Sequence, residues 1–176
     1  MGNIYIFRGK AATGKTTLSQ MLAKKLLIPI ICKDDVIDAL KMTESTEGGV
    51  NNRVCYNILH RIIQTNLDLG VDLILDIALG DRGHFKTFSD RLDFKGNQII
   101  SFFVTCTDEN EWRKRHEERI ANPKPNQVFK SFEHVVEHYK KADFTPLDHE
   151  FVIDTASSTD VSFSQILEII NKKAGI

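Results

Sequence analysis

The chain is poor in cysteine and proline, has a single tryptophan, and shows no excess of either charge: 3 Cys, 4 Pro, 1 Trp and a formal net charge of -1 in 176 residues. Cys32, Cys55 and Cys106 are odd in number, far apart and set in apolar runs. A disulfide framework or a paired-cysteine metal knuckle fits that pattern poorly, and reduced thiols in a cytoplasmic setting are expected. The balance of 23 Lys and Arg against 24 Asp and Glu removes any global attraction to nucleic acid or to an anionic membrane. No apolar run approaches the roughly 20 residues that cross a bilayer. The chain enters Ile4-Tyr5-Ile6-Phe7 without a basic leader, so no secretory signal is expected, and Ile6 stands where a myristoylation signal after Met1-Gly2 needs Ser or Thr.

What is present is the composition of one compact domain, 41% hydrophobic and 27% charged. We find no repeat or linker, so residues 1–176 are read as a single domain, and the proline-rich punctuation at 122–126 is read as a surface loop. Residues 3–8 predict a buried strand. A glycine-rich turn follows, then a helix with Leu18, Met21, Leu22 and Leu26 on one stripe. An apolar run at 28–32 predicts strand two, and Asp34-Asp35 predicts the cap and acidic first turn of the next helix. Residues 51–69 pair their apolar positions every four residues and stop at Gly70, as an amphipathic helix does. Further strands are predicted at 71–78, 98–105 and 150–154, with helical patterns at 85–92, 109–120 and 128–141 and a last helix around Ile166, Leu167, Ile169 and Ile170. Continuous apolar strands alternating with amphipathic helices predict an α/β fold, a five-stranded parallel sheet covered on both faces.

The strongest chemical signal is Gly9-Lys10-Ala11-Ala12-Thr13-Gly14-Lys15-Thr16, a complete GxxxxGK[ST] pattern between a strand and a helix. Its glycines allow a tight turn whose N–H groups face phosphate oxygens, and the helix that follows adds the positive end of its dipole. Gly9, Ala11, Ala12, Thr13, Gly14, Lys15, Thr16 and Thr17 are therefore expected to hold ATP, with Lys15 reaching the β and γ phosphates. Thr16 and a carboxylate at the end of a neighbouring strand are expected to hold Mg²⁺; Asp76, after Leu73-Ile74-Leu75, is the candidate, and Asp72 the weaker one because it begins the strand. No NKxD guanine signature is present, which favours adenine.

The loop, the Lys33-Asp34-Asp35 segment, the Leu75-Asp76 strand end and the arginine-rich stretch Glu111-Trp112-Arg113-Lys114-Arg115-His116-Glu117-Glu118-Arg119 together resemble the small P-loop kinases. The similarity is to the AAA-type group that includes polynucleotide 5′-kinases, chloramphenicol phosphotransferase and zeta toxins, and it covers nearly the whole chain. It implies the three-layer P-loop NTPase fold with sheet order 2-3-1-4-5 and an arginine-bearing lid at about 110–130, with Pro123-Lys124-Pro125 as its edge. It further implies that Asp34, or failing that Asp35, accepts the proton of the hydroxyl being phosphorylated. Arg115 and Arg119, four apart on one helix face, would be the lid arginines. The adenine is expected near 155–158.

Polynucleotide kinases carry an arginine three residues beyond that aspartate, where this chain has Ile37, or Asp38 if Asp35 is the base. A small-molecule hydroxyl acceptor is therefore expected rather than a nucleic-acid end, with Arg53, Asp81, Arg82 and His84 as candidate pocket residues beside Asp34 and Asp35. A polynucleotide 5′-hydroxyl kinase and a nucleotide-binding NTPase without an acceptor stand as the alternatives. His134-Val135-Val136-Glu137-His138 matches an inverted zinc-peptidase pattern, but no third ligand accompanies it in the sequence.

Overall fold

The computed structural model describes residues 1–43, 52–123 and 129–174, the side chains at 42, 43 and 174 excepted. The elements run β1 (Asn3–Arg8), α1 (Lys15–Leu26), β2 (Ile30–Cys32), α2 (Lys33–Thr43), α3 (Asn52–Leu69), β3 (Leu73–Asp76), α4 (Arg82–Ser89), β4 (Gln98–Thr105), α5 (Glu109–Ala121), α6 (Phe132–Tyr139), β5 (Phe151–Asp154) and α7 (Thr159–Ala174). The strands form one five-stranded sheet in the order β2-β3-β1-β4-β5, every neighbouring pair parallel. This is the three-layer P-loop NTPase fold that the resemblance implies.

Strand alternation divides the core in two. Ile4 and Ile6 of β1 and Leu73 and Leu75 of β3 point to one face, where Cys55, Leu59, Ile63 and Leu67 of α3 cover them. Tyr5, Phe7 and Ile74 point to the other, against Leu18 and Leu22 of α1 and Ile166 of α7. Burial on both faces explains why these strands read as unbroken apolar runs. Each fully buried Ile or Phe contributes about 1.5–3 kcal/mol relative to exposure. A third, smaller cluster of Trp112, Phe132 and Val135 joins α5 to α6.

Several boundaries differ from those predicted, each for a local reason. Strand two starts at Ile30 because Leu27 closes α1 in the left-handed region (φ 57) and Pro29, next in line, has no N–H to give a ladder. Helix α2 begins at Lys33, so Asp34 and Asp35 occupy its first turn and neither is its cap. The Cys32 thiol takes that position, facing the N–H groups of Asp34 and Asp35. Helix α4 starts at Arg82, three residues early, because Asp81 caps it by accepting the His84 N–H at 2.8 Å. Strand β3 is shorter than 71–78: Asp72 turns to accept the Asn3 N–H at 2.7 Å, and Ala78 lies in the left-handed region (φ 50). Residue 51 of the predicted long helix, residue 128 of the predicted sixth and the expected lid edge at 124–125 lie outside the described residues.

Candidate active site

Parallel register sets the site. Phe7 pairs with Asp76 and Cys32 pairs with Asp76 from the other side, so β1, β2 and β3 end together beneath the glycine loop. Gly9 leaves β1 at φ +139, and a Cβ there would lie 2.1 Å from the Val104 carbonyl oxygen, so no other residue fits. Gly14 (φ +91) turns the chain into α1, whose first in-helix bond runs from the Leu18 N–H to the Gly14 carbonyl at 3.0 Å. The N–H groups of Lys15, Thr16 and Thr17 therefore have no in-helix acceptor and face an anion site.

The outside of the loop is clamped. Trp112 Nε1 donates to the Ala11 carbonyl at 2.9 Å, the Ala11 N–H donates to the Tyr139 hydroxyl at 2.7 Å, and Thr155 Oγ1 donates to the Thr13 carbonyl at 2.8 Å. Gly9, Ala11 and Thr13 thus shape the loop, whereas Ala12, Gly14, Lys15, Thr16 and Thr17 line the cleft itself, a cavity of about 750 Å³.

Lys15 is buried and its ammonium donates to the Lys10 carbonyl at 2.6 Å. Burial pulls its pKa below the ordinary lysine value; Asp76 and Asp34 oppose this, and Arg119 adds to it. Asp76 is buried as well, and burial raises its pKa, against the pull of Lys15 and of hydrogen bonds from Thr16 and Ser19. The Ser19 hydroxyl lies 3.3 Å from Asp76 Oδ2. Hydroxyl and carboxylate oxygens side by side are a hard donor set, and a hard cation that keeps substrate phosphates as its other ligands suits it.

Asp34 and Asp35 both line the cleft, Asp34 half-buried and Asp35 exposed. The two lid arginines are not equivalent. Arg115 is committed: Nε to Glu111 at 2.9 Å, Nη1 to Thr155 Oγ1 and Nη2 to the Thr155 carbonyl, both at 2.8 Å. It braces α5 against the loop after β5. Arg119 lines the cleft with a buried Nε that has no partner among the described residues, and its charge reaches Lys15. Arg82 donates to the Pro146 carbonyl at 2.8 Å and sits 3.7 Å from Asp143, holding the 143–146 segment. Arg53 lies at a second cavity, bordered by Lys33. Asp81 caps α4, and His134 and His138 meet Phe129 edge to face with ring centroids 5.6 and 5.2 Å apart.

Asp38, marked in the sequence only as a departure from the polynucleotide-kinase pattern, is a cleft residue as well. It follows Asp34 by four residues on α2, lines the same cleft, and has a buried Oδ1 with no partner among the described residues. The helical spacing was available as a signal. Sequence reasoning passed over the Trp112, Tyr139 and Thr155 clamps, which join residues more than a hundred positions apart.

A parallel sheet of this order, with a glycine loop between β1 and α1 and carboxylates at the neighbouring strand ends, defines a P-loop NTPase-fold protein of the small-kinase kind. The chain belongs to the AAA domain family, which matches residues 4–142. No curated protein matches it in sequence. Among solved structures it is similar to a kinase candidate from Chloroflexus aurantiacus J-10-fl (20% identity, 97% of each chain, TM-score 0.74). It is also similar to the Mycobacterium tuberculosis APS kinase solved with AMPPNP and APS (12% identity, 97% and 98% covered, TM-score 0.66). A gluconokinase from Sinorhizobium meliloti 1021 matches at 12% identity, with 98% and 97% covered and a TM-score of 0.60. Among the described residues no helix is long and apolar enough to cross a membrane.

Proposed function

We propose that this protein is an ATP-dependent kinase that transfers the γ-phosphoryl group to a hydroxyl of a small-molecule acceptor. The observation that carries the reading is the convergence of the glycine loop with Lys15, Asp76, Asp34 and Arg119 around one cleft. The solved gluconokinase and APS kinase of the same fold are named for small-molecule acceptors, which supports the acceptor class.

In this reading the amides of residues 14–17 bind the phosphates and Lys15 Nζ leaves the Lys10 carbonyl for the γ-phosphate. The acceptor oxygen forms its bond to the γ-phosphorus as the bond to the β–γ bridging oxygen breaks, ADP leaving with that electron pair. Asp34 takes the acceptor's proton. Arg119, whose Nε has no partner, meets the charge on the moving phosphoryl group. Thr16 and Asp76 would hold Mg²⁺, which supplies charge neutralisation between the phosphates. Thr155, whose hydroxyl accepts from Arg115 and donates to the Thr13 carbonyl, both at 2.8 Å, is taken as the edge of the adenine site.

The test is a screen of ATP consumption against sugars, nucleosides, hydroxy acids and oligonucleotides, with calorimetry of Mg·ATP binding alongside. Acceptor-dependent ADP release that vanishes in Lys15→Ala is the expected result. Hydrolysis that no acceptor changes would assign a plain NTPase, and labelling of 5′-hydroxyl oligonucleotides would assign an end kinase.

A further inference from the structure

Beside the phosphate cleft lies a second cavity of about 440 Å³. It is assembled from the start of α2, the first turns of α3, the loop after β3, and α4 with Arg91 two residues past its end. Its floor is aromatic and apolar: Tyr56, Phe88 and Leu79, with the Tyr56 and Phe88 rings edge to face at 6.0 Å. Its rim carries Lys33, Arg53 and Arg91. Among the described residues no aspartate or glutamate lines it, and neither Lys33 nor Arg91 has a carboxylate at ion-pair distance. The Lys33 ammonium stands 5.3 Å over the Tyr56 ring, and Arg91 Nη2 donates to Asn57 at 3.1 Å.

The cavity is built rather than incidental. His60, a buried residue of its lining, has one ring nitrogen 2.6 Å from the Tyr56 carbonyl and the other 2.9 Å from the Phe88 carbonyl, joining α3 to α4. Leu79 is fixed from below: its carbonyl accepts from Arg8 Nε at 3.0 Å, and the fully buried Arg8 is held in turn by Glu150 at 2.5 Å. The first turn of α2 is the shared wall, since Lys33 faces this cavity and Asp34 the cleft. The Asp34 carboxylate is near enough for its charge to act on Tyr56, where burial, aided by Cys55 and Asp34, pushes the phenol up to about 12.

The positive charge of Lys33 and Arg91 over a low-dielectric floor attracts anions, and an aromatic floor favours a flat or apolar body. The volume suits a small molecule. We infer that this cavity is the acceptor's binding pocket and that the acceptor is a small hydroxyl compound bearing an anionic group, held by Lys33, Arg53 and Arg91 over Tyr56 and Phe88. This rests on the kinase reading for the acceptor's role, and the sign of its charge comes from the cavity alone.

Phenyl phosphate and its neutral counterpart benzyl alcohol are the probes, followed by NMR on the full chain with and without saturating Mg·AMPPNP. Phenyl phosphate is expected to shift the resonances of Tyr56 and Phe88, to persist with AMPPNP bound, and to weaken by about tenfold or more in Lys33→Gln/Arg91→Gln, about 1.4 kcal/mol per decade. Equal binding of benzyl alcohol, undiminished binding by the double variant, or complete displacement by AMPPNP would each overturn the inference. In a transfer assay, 4-(hydroxymethyl)benzoate is expected to outpace benzyl alcohol; the reverse order overturns the inference too. Absence of Mg·AMPPNP binding sinks the kinase reading instead, while the charge preference of the cavity is still measured.

Discussion

The cleft and the cavity beside it share the first turn of α2 and differ in nearly everything else. The cleft's phosphate cradle comes from consecutive residues, and five carboxylates line it: Asp34, Asp35, Asp38, Glu111 and Glu118. The cavity draws Lys33, Arg53, Tyr56, Leu79, Phe88 and Arg91 from four segments, and among the described residues no carboxylate lines it. The contrast teaches where each kind of recognition is written. A phosphate chain is bound by backbone amides, so a short local turn suffices. A particular acceptor is bound by side chains on separate helices, so their packing decides.

The comparison breaks most sharply at Lys15. Lys15→Ala is expected to cut transfer on the order of 10³-fold or more, as removal of a charge clamp does, while phenyl phosphate binding in the cavity persists. Retained transfer in a stopped assay would remove the cleft's assigned role. Next, Asp34→Asn is expected to slow turnover by about 10²–10³-fold with Mg·ATP affinity unchanged, and Asp35→Asn to leave both near wild type. If the two exchange effects, Asp35 is the base. Arg119→Gln is expected to lower kcat by on the order of 10²-fold. Arg115→Gln is expected to act on stability, by about 1–3 kcal/mol in urea unfolding, since it breaks charged hydrogen bonds to Thr155 and Glu111.

A smaller effect separates the regions through pH. Asp76 has a folded pKa raised by burial above the ordinary 3.8, so the folded chain keeps a proton the unfolded chain gives up. Its contribution to stability is full below the ordinary value and is lost as pH rises through the folded one. Asp76→Asn should flatten that slope in unfolding curves measured across the window, and an unaltered slope would contradict the burial argument. Smallest of all, Tyr139→Phe removes one hydrogen bond to the Ala11 N–H, about 1 kcal/mol, and is expected to weaken nucleotide binding a few-fold in calorimetry.

Much of this architecture was legible in the residues. Unbroken apolar runs located five strands, period-four apolar patterns located most helices, and glycine spacing located the cradle, because these signals are carried by neighbours in sequence. The misplaced boundaries sit where one side chain intervenes: Pro29 at β2, Asp72 at β3, and Asp81 at α4. The arginines show the same limit. Arg115 and Arg119 are alike by spacing, yet Thr155, 40 positions beyond Arg115, engages that one alone. Glu150 reads as the start of a strand until Arg8, 142 positions away, is found against it.

The parallel sheet and the triphosphate cradle are written in local residue order, since main-chain geometry and burial on two faces follow from it. Which arginine keeps an unpartnered donor among the described residues, which helices close a cationic cavity beside Asp34, and which distant side chains clamp the loop are outcomes of packing. Those outcomes depend on distances between segments far apart in the chain, and such distances exist only once the core has packed.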